Sequence, residues 1–512
     1  MAKSLDTLVN SLHLSARDGS NLKESLAVSP NIVSFLEGKD NSSSIAVNLA
    51  CLAATVVLGS NVVDTTPLNQ SQVDANWSQA CWQEPGCIIR PGSAQDVSKT
   101  LIIINFFQVQ FTVRSGGHSP NPGWSSIDKP GLLLDLSRLD EISVSSDKKI
   151  VALGPGRRWG DVIAALDPYG VTVVGGRIPN VGVGGLMLGG GFSHFSGEYG
   201  MAADNVMSFE VVLASGTITV ASAEKNSDLF WALKGGGPNF GIVTRFELNT
   251  IPIHDIWYEV RIIASHNAYD VLDAFAAWQN GAGASDLKST IAFLIGLETI
   301  TLGLVYSKPS ASRPATFAVF DSIPTIAIPV STNGTVLSLT NALAGSINVA
   351  PARHDYRAVS TKIDAQLYKD VYTFWREKAA AIHAVTGANQ TFTLQPAPAN
   401  IALQGIAKGG NPMGIPSINH QWWTTLIDWE KAEDDETVRA VSISTEAKWK
   451  QLSRERGLEV DYLFMNDASR EQNPLASYGA GNIGKLKAIA RKYDPLEVFQ
   501  RLQNDGFLLR KA

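Results

Sequence analysis

A glycine-rich segment from residue 175 to residue 191 constrains the fold of this chain more than any other feature. Eight of its 17 residues are glycine, and apolar side chains such as Val181 and Leu186 lie between them. Because glycine weakens the interiors of helices and strands, this density predicts a loop. A flexible linker would be polar, so the apolar residues indicate a buried loop whose backbone lies directly against a ligand.

A shorter glycine-rich segment occurs at residues 114–119, which read Arg-Ser-Gly-Gly-His-Ser and directly follow the predicted strand Val109–Val113. Successive backbone N–H groups at such a turn can bind an anion. Arg114, Ser115 and Ser119 add donors that suit phosphate oxygens. The alternative is an ordinary glycine turn with a surface histidine. Residues 234–244 have the same glycine-rich character and lead into another predicted strand.

The composition excludes several classes of protein. The chain has 512 residues, of which 45% are hydrophobic and 18% charged, so it can bury a large core and is not a disordered chain. Its formal net charge of −6 provides no basic surface for nucleic acid. Eight scattered histidines argue against a metal site. The three cysteines, Cys51, Cys81 and Cys87, are compatible with one disulfide or with three reduced thiols.

The N-terminal region carries no recognisable secretory signal, because its first 20 residues lack a continuous apolar stretch. The longest apolar stretch, residues 45–63, is interrupted by polar residues and predicts a packed helix at the edge of a domain, not a membrane span. Five N-glycosylation sequons are close to the number expected by chance. We therefore expect no membrane span and slightly favour an intracellular location over secretion.

The order of helical and strand patterns predicts four segments. Residues 1–80 predict a helical lead-in, and residues 81–253 predict a mixed α/β domain with many glycine turns. Residues 254–446 contain longer helical patterns and predict a second domain, a sheet covered by helices. Residues 447–512 return to the first domain.

Short apolar runs and amphipathic spacing predict the individual elements. Predicted strands include Ile102–Phe107, Ile150–Leu153, Trp422–Ile427 and Tyr462–Met465. Predicted helices include Trp159–Leu166, Ser227–Leu233, Lys362–Val385 and Trp429–Leu452, and the spacing Gly479-x-Gly481-x-x-Gly484 indicates a helix start.

Four segments follow one another in a characteristic order: RSGGHSPNPGWSS, GRIPNVGVGGLMLGGGFSHFSGEYG, DLFWALKGGGPNFGIVT and KYDPLEVFQ. Together they resemble the flavin-dependent oxidases of the berberine-bridge-enzyme family. The resemblance implies an α+β fold with two parts. The first is an FAD-binding domain of the p-cresol methylhydroxylase and vanillyl-alcohol oxidase type, built from two α/β subdomains. The second is a substrate domain in which helices cover an antiparallel sheet.

The resemblance also implies FAD that is covalently bound through one residue. His118 would form an 8α-histidyl bond to the flavin, and Ile178 occupies the position where some relatives have a second, cysteinyl attachment. The residues that the resemblance assigns to the cofactor site are Arg114, Ser115, Gly116, Gly117, His118, Ser119, Val181, Gly182, Gly184, Gly185, Gly190, Ile242, Val243 and Asn466.

The activity implied by the resemblance is that of an FAD-linked oxidase. It would transfer a hydride from a small, secondary-metabolite-like molecule to FAD and return the electrons to O2 as H2O2. Val181 falls at the oxygen gate of the family, where a small side chain favours reaction with O2. Phe464 and Met465 replace an asparagine and a catalytic tyrosine of the family, which argues against a carbohydrate oxidase. That activity and a flavoprotein that binds or cyclises a substrate without net redox turnover are the alternatives.

The catalytic base has four candidates, which are His194, His420, Asp467 and Tyr199. Each has a structural interpretation as well: a histidine can be packed in the core, and an aspartate often caps a turn. Of Trp422 and Trp423, one is expected to face away from any substrate pocket, because neighbouring strand residues point to opposite faces. The substrate, the base and the oligomeric state are left open by the sequence.

Overall fold

A computed structural model of the protein describes residues 4–40, 42–346 and 352–512. Its N-terminal region is helical, and serine side chains accept hydrogen bonds from backbone N–H groups at the start of the first two helices. The helices are Leu5–Ser11, Ala16–Ala27, Ile32–Leu36 and Ser43–Leu58. The last of them is apolar and buried on one side, and its Cys51 forms a disulfide with Cys87. Cys81 is a buried free thiol.

The first sheet has four strands in the order Val63–Thr65, Cys87–Ile89, Leu132–Asp135 and Phe111–Arg114. The last three strands are parallel. The predicted strand Ile102–Phe107 is wrong, because these residues end the helix Ala94–Phe107. Val97, Leu101 and Ile104 recur at helical spacing on its buried face, and this period determines the structure of the apolar run.

The second sheet has six strands: Ile142–Val144, Ile150–Leu153, Ile242–Ile251, Val206–Val212 and Ile218–Ser222, with Thr172–Val173 beside Ile242–Ile251. All its pairings are antiparallel. The predicted helices Trp159–Leu166 and Ser227–Leu233 are confirmed.

Part of the glycine-rich segment is helical, although the sequence predicts a loop throughout. The helix Val183–Leu188 contains Gly184 and Gly185. A Cβ atom on Gly184 would lie 2.8 Å from Oγ of Ser115, so glycine serves here for close packing of a helix and not for a turn.

The third and fourth sheets are antiparallel and belong to the predicted second domain. The third sheet consists of Ser289–Ile295, Thr299–Tyr306, Asp255–Ala264 and Ala327–Thr335. The fourth consists of Arg353–Lys362, His420–Trp429 and Asn389–Gln390, with Thr393–Ala397 also paired to His420–Trp429. An antiparallel bridge between Ile295 and Phe392 joins the two sheets.

Helices cover one face of these two sheets. They are Ala268–Asn280, Ala365–Thr386 and Asp435–Glu455, and shorter helices lie at Val336–Leu343 and Asn400–Ala407. The predicted helix Trp429–Leu452 therefore begins later than expected, because Trp429 still pairs with Arg353 in the fourth sheet.

The C-terminal segment packs against the first sheet, where Phe111 N–H donates to the carbonyl of Leu502. The helix Ala480–Tyr493 begins directly after Gly479, as predicted, and a short helix Val498–Arg501 follows. The predicted strand Tyr462–Met465 is wrong: residues 462–464 join no sheet, and Met465 begins the short 3-10 helix Met465–Asp467. The side chains of Tyr462, Phe464 and Met465 pack in the core instead. Within the described part of the chain, no helix is long and apolar enough to cross a membrane.

Candidate functional site

A cavity of about 890 Å³ lies where the glycine-rich segments meet the third and fourth sheets. Residues of all three glycine-rich segments line it, together with strand residues such as Val260, Phe293 and Leu394. A volume of this size holds a small molecule or a cofactor.

Along this cavity, the backbones of two glycine-rich segments pack directly against each other, with no room for side chains between them. A Cβ atom on Gly116 would lie 2.4 Å from the Cα atom of Gly182, and a Cβ atom on Gly182 would lie 2.5 Å from that of Gly116. Gly117 has a φ of +64°, a conformation that favours glycine. Ser115 Oγ accepts a hydrogen bond of 3.1 Å from the N–H of Gly184 and fixes the contact. The result is a glycine wall, formed by Gly116, Gly117 and Gly182, whose closely packed backbone lines the cavity and can lie against a phosphate-bearing ligand.

His118 lies on this wall and is held by aromatic neighbours. Its ring stacks on Trp77 at 4.3 Å between ring centroids, and its Nδ1 lies 2.9 Å from Oη of Tyr356. Desolvation and the nearby charge of Arg158 lower the pKa of His118 to about 3. The imidazole is therefore neutral and keeps a lone pair on one ring nitrogen, which fits the chemistry of a covalent bond to an electrophilic carbon.

Most residues that the sequence assigns to the cofactor site line the cavity. These are Ser115, Gly116, Gly117, His118, Ser119, Val181, Gly182, Gly184, Gly185, Ile242, Val243 and Asn466. Gly190 is not among the lining residues, because it packs behind the wall against Met413.

Arg114 does not line the cavity either, which corrects its expected role as a phosphate donor. Its Nη2 lies 2.6 Å from Oδ2 of Asp135, and further donors bind Oδ1 of Asn76 and the carbonyl of Gln72. With its donors occupied, the side chain supports the loop from beneath and is not available to a ligand.

Two of the four candidate bases line the cavity, namely Asp467 and His194. His420 does not: its Nδ1 is bound to the carbonyl of Ile418 at 2.8 Å, and its Nε2 accepts from Trp422 Nε1 at 2.9 Å. Both ring nitrogens are thus occupied, so the structural interpretation of His420 holds. Tyr199 also lies outside the cavity wall.

Asp467 belongs to a polar cluster on the wall of the cavity. Gln395 donates through Nε2 to Oδ2 of Asp467, and its Oε1 accepts a hydrogen bond from Nη2 of Arg177. Desolvation raises the pKa of Asp467 to about 6, although Arg177 and Gln395 both act to lower it. The carboxylate is therefore ionised at neutral pH, with a pKa in the range suited to a general base.

His194, the other candidate on the wall, is a much weaker base. Desolvation and the charge of Arg177 lower its pKa to about 3. Its Nε2 has no hydrogen-bond partner within the described residues. The side chain therefore offers a neutral imidazole to the cavity.

The wall next to the polar cluster is aromatic. Phe192 and Phe464 line the cavity, and Trp422 packs behind them with centroid distances of 5.2 Å and 4.9 Å. Trp423 points the other way and packs on Trp449 under the covering helices, as strand alternation predicts.

Three residues of the site, Arg177, Tyr356 and Gln395, are not predicted by the sequence analysis. Arg177 carries a usable signal, because it is the one charged side chain of the glycine-rich segment 175–191. Tyr356 and Gln395 carry no such signal, because each lies among other polar residues on an ordinary strand and contacts its partner across the fold.

Comparison with known proteins agrees with this geometry. Residues 85–222 match the family model of an FAD binding domain. An FAD-dependent monooxygenase of Arthrobotrys oligospora is 39% identical over 435 residues, which cover 85% of this chain and 84% of that protein. The bifunctional solanapyrone synthase of Alternaria solani is 34% identical over 442 residues, covering 86% and 84%.

Solved structures with the same fold include several oxidases. Glucooligosaccharide oxidase of Acremonium strictum has a TM-score of 0.74 at 20% identity, covering 88% of this chain and 96% of the other. For 6-hydroxy-D-nicotine oxidase of Arthrobacter nicotinovorans the TM-score is 0.72 at 21% identity, with coverages of 86% and 97%. The predicted α+β fold with an FAD-binding domain of this type is confirmed.

Proposed function

Because the chain belongs to the family of FAD-dependent oxidoreductases that shares the fold of the berberine-bridge-enzyme-like oxidases, we propose that it is an oxidase of a small, largely apolar organic molecule. One observation carries this proposal: the cavity that is lined by His118 and the glycine wall is also lined by Asp467 and Arg177. A cofactor site and a site for substrate chemistry would therefore share one cavity.

The cofactor would be held by the backbone wall at Gly116, Gly117 and Gly182, with His118 as the point of covalent attachment. When bound, FAD supplies a hydride acceptor that can be reoxidised by O2. The glucooligosaccharide oxidase has a 6-S-cysteinyl, 8α-N1-histidyl FAD. In this chain Ile178 supports attachment through the histidine alone.

Asp467 is the proposed base. Its carboxylate is ionised above a pH of about 6, and it can accept a proton from a substrate O–H or N–H group while Gln395 holds its other oxygen. His194 is too weak a base for this role at neutral pH, because its pKa lies near 3. The aromatic wall of Phe192 and Phe464 favours a flat, apolar substrate over a sugar.

Transfer of the electrons to O2 with release of H2O2 is supported by the small side chain of Val181 on the cavity wall. The names of several relatives support a second candidate, insertion of one oxygen atom into the product. The name of another relative, the bifunctional solanapyrone synthase, supports a second activity beside oxidation.

The purified protein tests this proposal in two steps. Absorbance of the pellet after acid precipitation reports covalent flavin, and the His118→Ala variant should shift the yellow colour to the supernatant. Turnover of a candidate substrate under isotopically labelled O2 then separates the activities. An oxidase gives one H2O2 per substrate and no label in the product, whereas a monooxygenase incorporates label. A protein without flavin in either fraction refutes the proposal.

A further inference from the structure

Arg177 differs in its electrostatic environment from Arg114 and Arg357, two buried arginines of this protein. Arg114 has Asp135 at 2.6 Å, and Arg357 has Glu446 at 2.5 Å. Within the described residues, no carboxylate oxygen lies within 4.0 Å of the Arg177 guanidinium; Asp467 acts on it only from a greater distance. A half-buried guanidinium on the cavity wall is thus left without a direct counter-ion.

The neighbours of Arg177 orient this charge but do not neutralise it. Gln395 accepts one hydrogen bond from Nη2, and the ring of Phe192 lies 4.8 Å from Cζ. A guanidinium has five N–H donors, so donors are left for a ligand after the contact with Gln395. Since the amide of Gln395 also binds Asp467, it separates the positive charge from the negative one and holds both on the cavity wall.

Desolvation makes a charge without a counter-ion less favourable, and a ligand of opposite charge can offset this cost. Arginine binds planar oxygen anions through two parallel N–H···O bonds. We propose that Arg177 determines specificity by binding an ionised oxygen of the substrate, so that the substrate is an organic acid with an apolar skeleton. This inference rests on the proposed function only in taking the cavity as the substrate site.

Matched pairs of ligands test it without knowledge of the natural substrate. Benzoate and benzamide, and 2-naphthoate and 2-naphthamide, differ in charge and little in shape. Each is titrated into the oxidised holoprotein, and binding is followed by the change in flavin absorbance and by the shift in Tm. The native protein should bind each acid at least tenfold more tightly than its amide, or about 1.4 kcal/mol.

Three variants make the test specific. Arg177→Met should abolish the preference for the acids and leave the amide affinities within twofold of native, and Arg177→Lys should keep part of the preference. Arg245→Met removes a positive charge from a surface ion pair with Glu141 and should bind both ligands as the native protein does.

Two results would overturn the inference. One is a native protein that binds acids no better than amides. The other is an Arg177→Met variant that keeps the preference but changes the flavin reduction potential, since the guanidinium would then serve the cofactor. Absence of flavin from the native protein would instead refute the proposed function, and the Tm shifts would still report on Arg177.

Discussion

The hydroxyl of Tyr356 should control how readily His118 forms its bond to the cofactor. Tyr356 lies on the strand Arg353–Lys362 of the fourth sheet, yet its Oη lies 2.9 Å from Nδ1 of His118. This contact joins a strand of the fourth sheet to the glycine-rich segment that carries His118. The Tyr356→Phe variant removes the hydroxyl and leaves the aromatic ring, so it tests orientation of the imidazole and not packing.

The Tyr356→Phe variant loses one hydrogen bond to His118 but keeps the stacking of His118 on Trp77, and this sets the size of the expected change in attachment rate. A single hydrogen bond of this kind contributes about 0.5–1.5 kcal/mol. The ring of His118 still stacks on Trp77, which itself stacks on His354 at 3.6 Å, so the imidazole stays in place but turns more freely. If the lost energy is expressed in the barrier to attachment, the rate falls about 2- to 12-fold, since about 1.4 kcal/mol corresponds to tenfold.

Attachment can be timed directly. Apoprotein is produced in a riboflavin-starved host and mixed with FAD, and samples are denatured at intervals and scored for protein-bound flavin by gel fluorescence and intact mass. Tyr462→Phe is the matched control. Its hydroxyl is buried without a hydrogen-bond partner in the described chain, and it does not line the cavity, so it should attach flavin at the native rate.

Equal rates of attachment in the native protein, Tyr356→Phe and Tyr462→Phe would refute the positioning role of Tyr356. Covalent flavin in a His118→Ala variant would refute the attachment site itself. These two outcomes are independent, because the second is read as an amount of bound flavin after long incubation and the first as a rate.

Asp467→Asn should lower kcat at least 100-fold with unchanged flavin content. In the native protein, kcat/KM should rise with pH through about 6 as the Asp467 carboxylate ionises, and a flat pH profile would contradict its role as the base. Gly182→Ala should abolish flavin binding, because the new Cβ atom would lie 2.5 Å from the Cα atom of Gly116. Gly481→Ala is the control and should bind flavin normally, because its new Cβ atom would have no heavy atom within 4 Å. Flavin absorbance of the purified variants measures both. Reduction of the Cys51–Cys87 disulfide, which spans 36 residues, should destabilise the fold by about 3–4 kcal/mol in denaturant titrations, whereas Cys81→Ser should leave the response to reductant unchanged.

The parts of the fold that sequence reasoning predicts well depend on local signals. The helices Trp159–Leu166 and Ser227–Leu233 show an apolar period that a short window reveals. The apolar run Ile102–Phe107 predicts a strand when it is considered alone, because a short apolar run fits either a strand or a helix. Its helical spacing is visible only together with residues 94–101, which belong to the same helix. The glycine wall can be predicted from sequence because such a high local density of glycine is a signal by itself and needs no knowledge of distant contacts.

The polar chemistry of the site was harder to predict, because its contacts join distant parts of the chain. Tyr356 meets His118 across 238 residues, and Gln395 meets Arg177 across 218. Arg114 and His420 were assigned to the site by residue type and position, but their hydrogen bonds with Asp135 and Trp422 occupy them elsewhere. Sequence indicates which side chains can do chemistry, whereas only the fold shows which of them have partners already.

The division of the cavity between two kinds of wall has a consequence for how this protein can diversify. The glycine wall consists of backbone at positions such as Gly116 and Gly182, where the Cβ atom of almost any other residue would collide with the opposite loop. The other wall is made of strand side chains, and alternate residues such as Trp422 and Trp423 face the cavity side or the covering helices. Substitutions at cavity-facing positions can therefore reshape the substrate range while the helix-facing half keeps the sheet intact. One scaffold of this kind can serve many small molecules with a single oxidant.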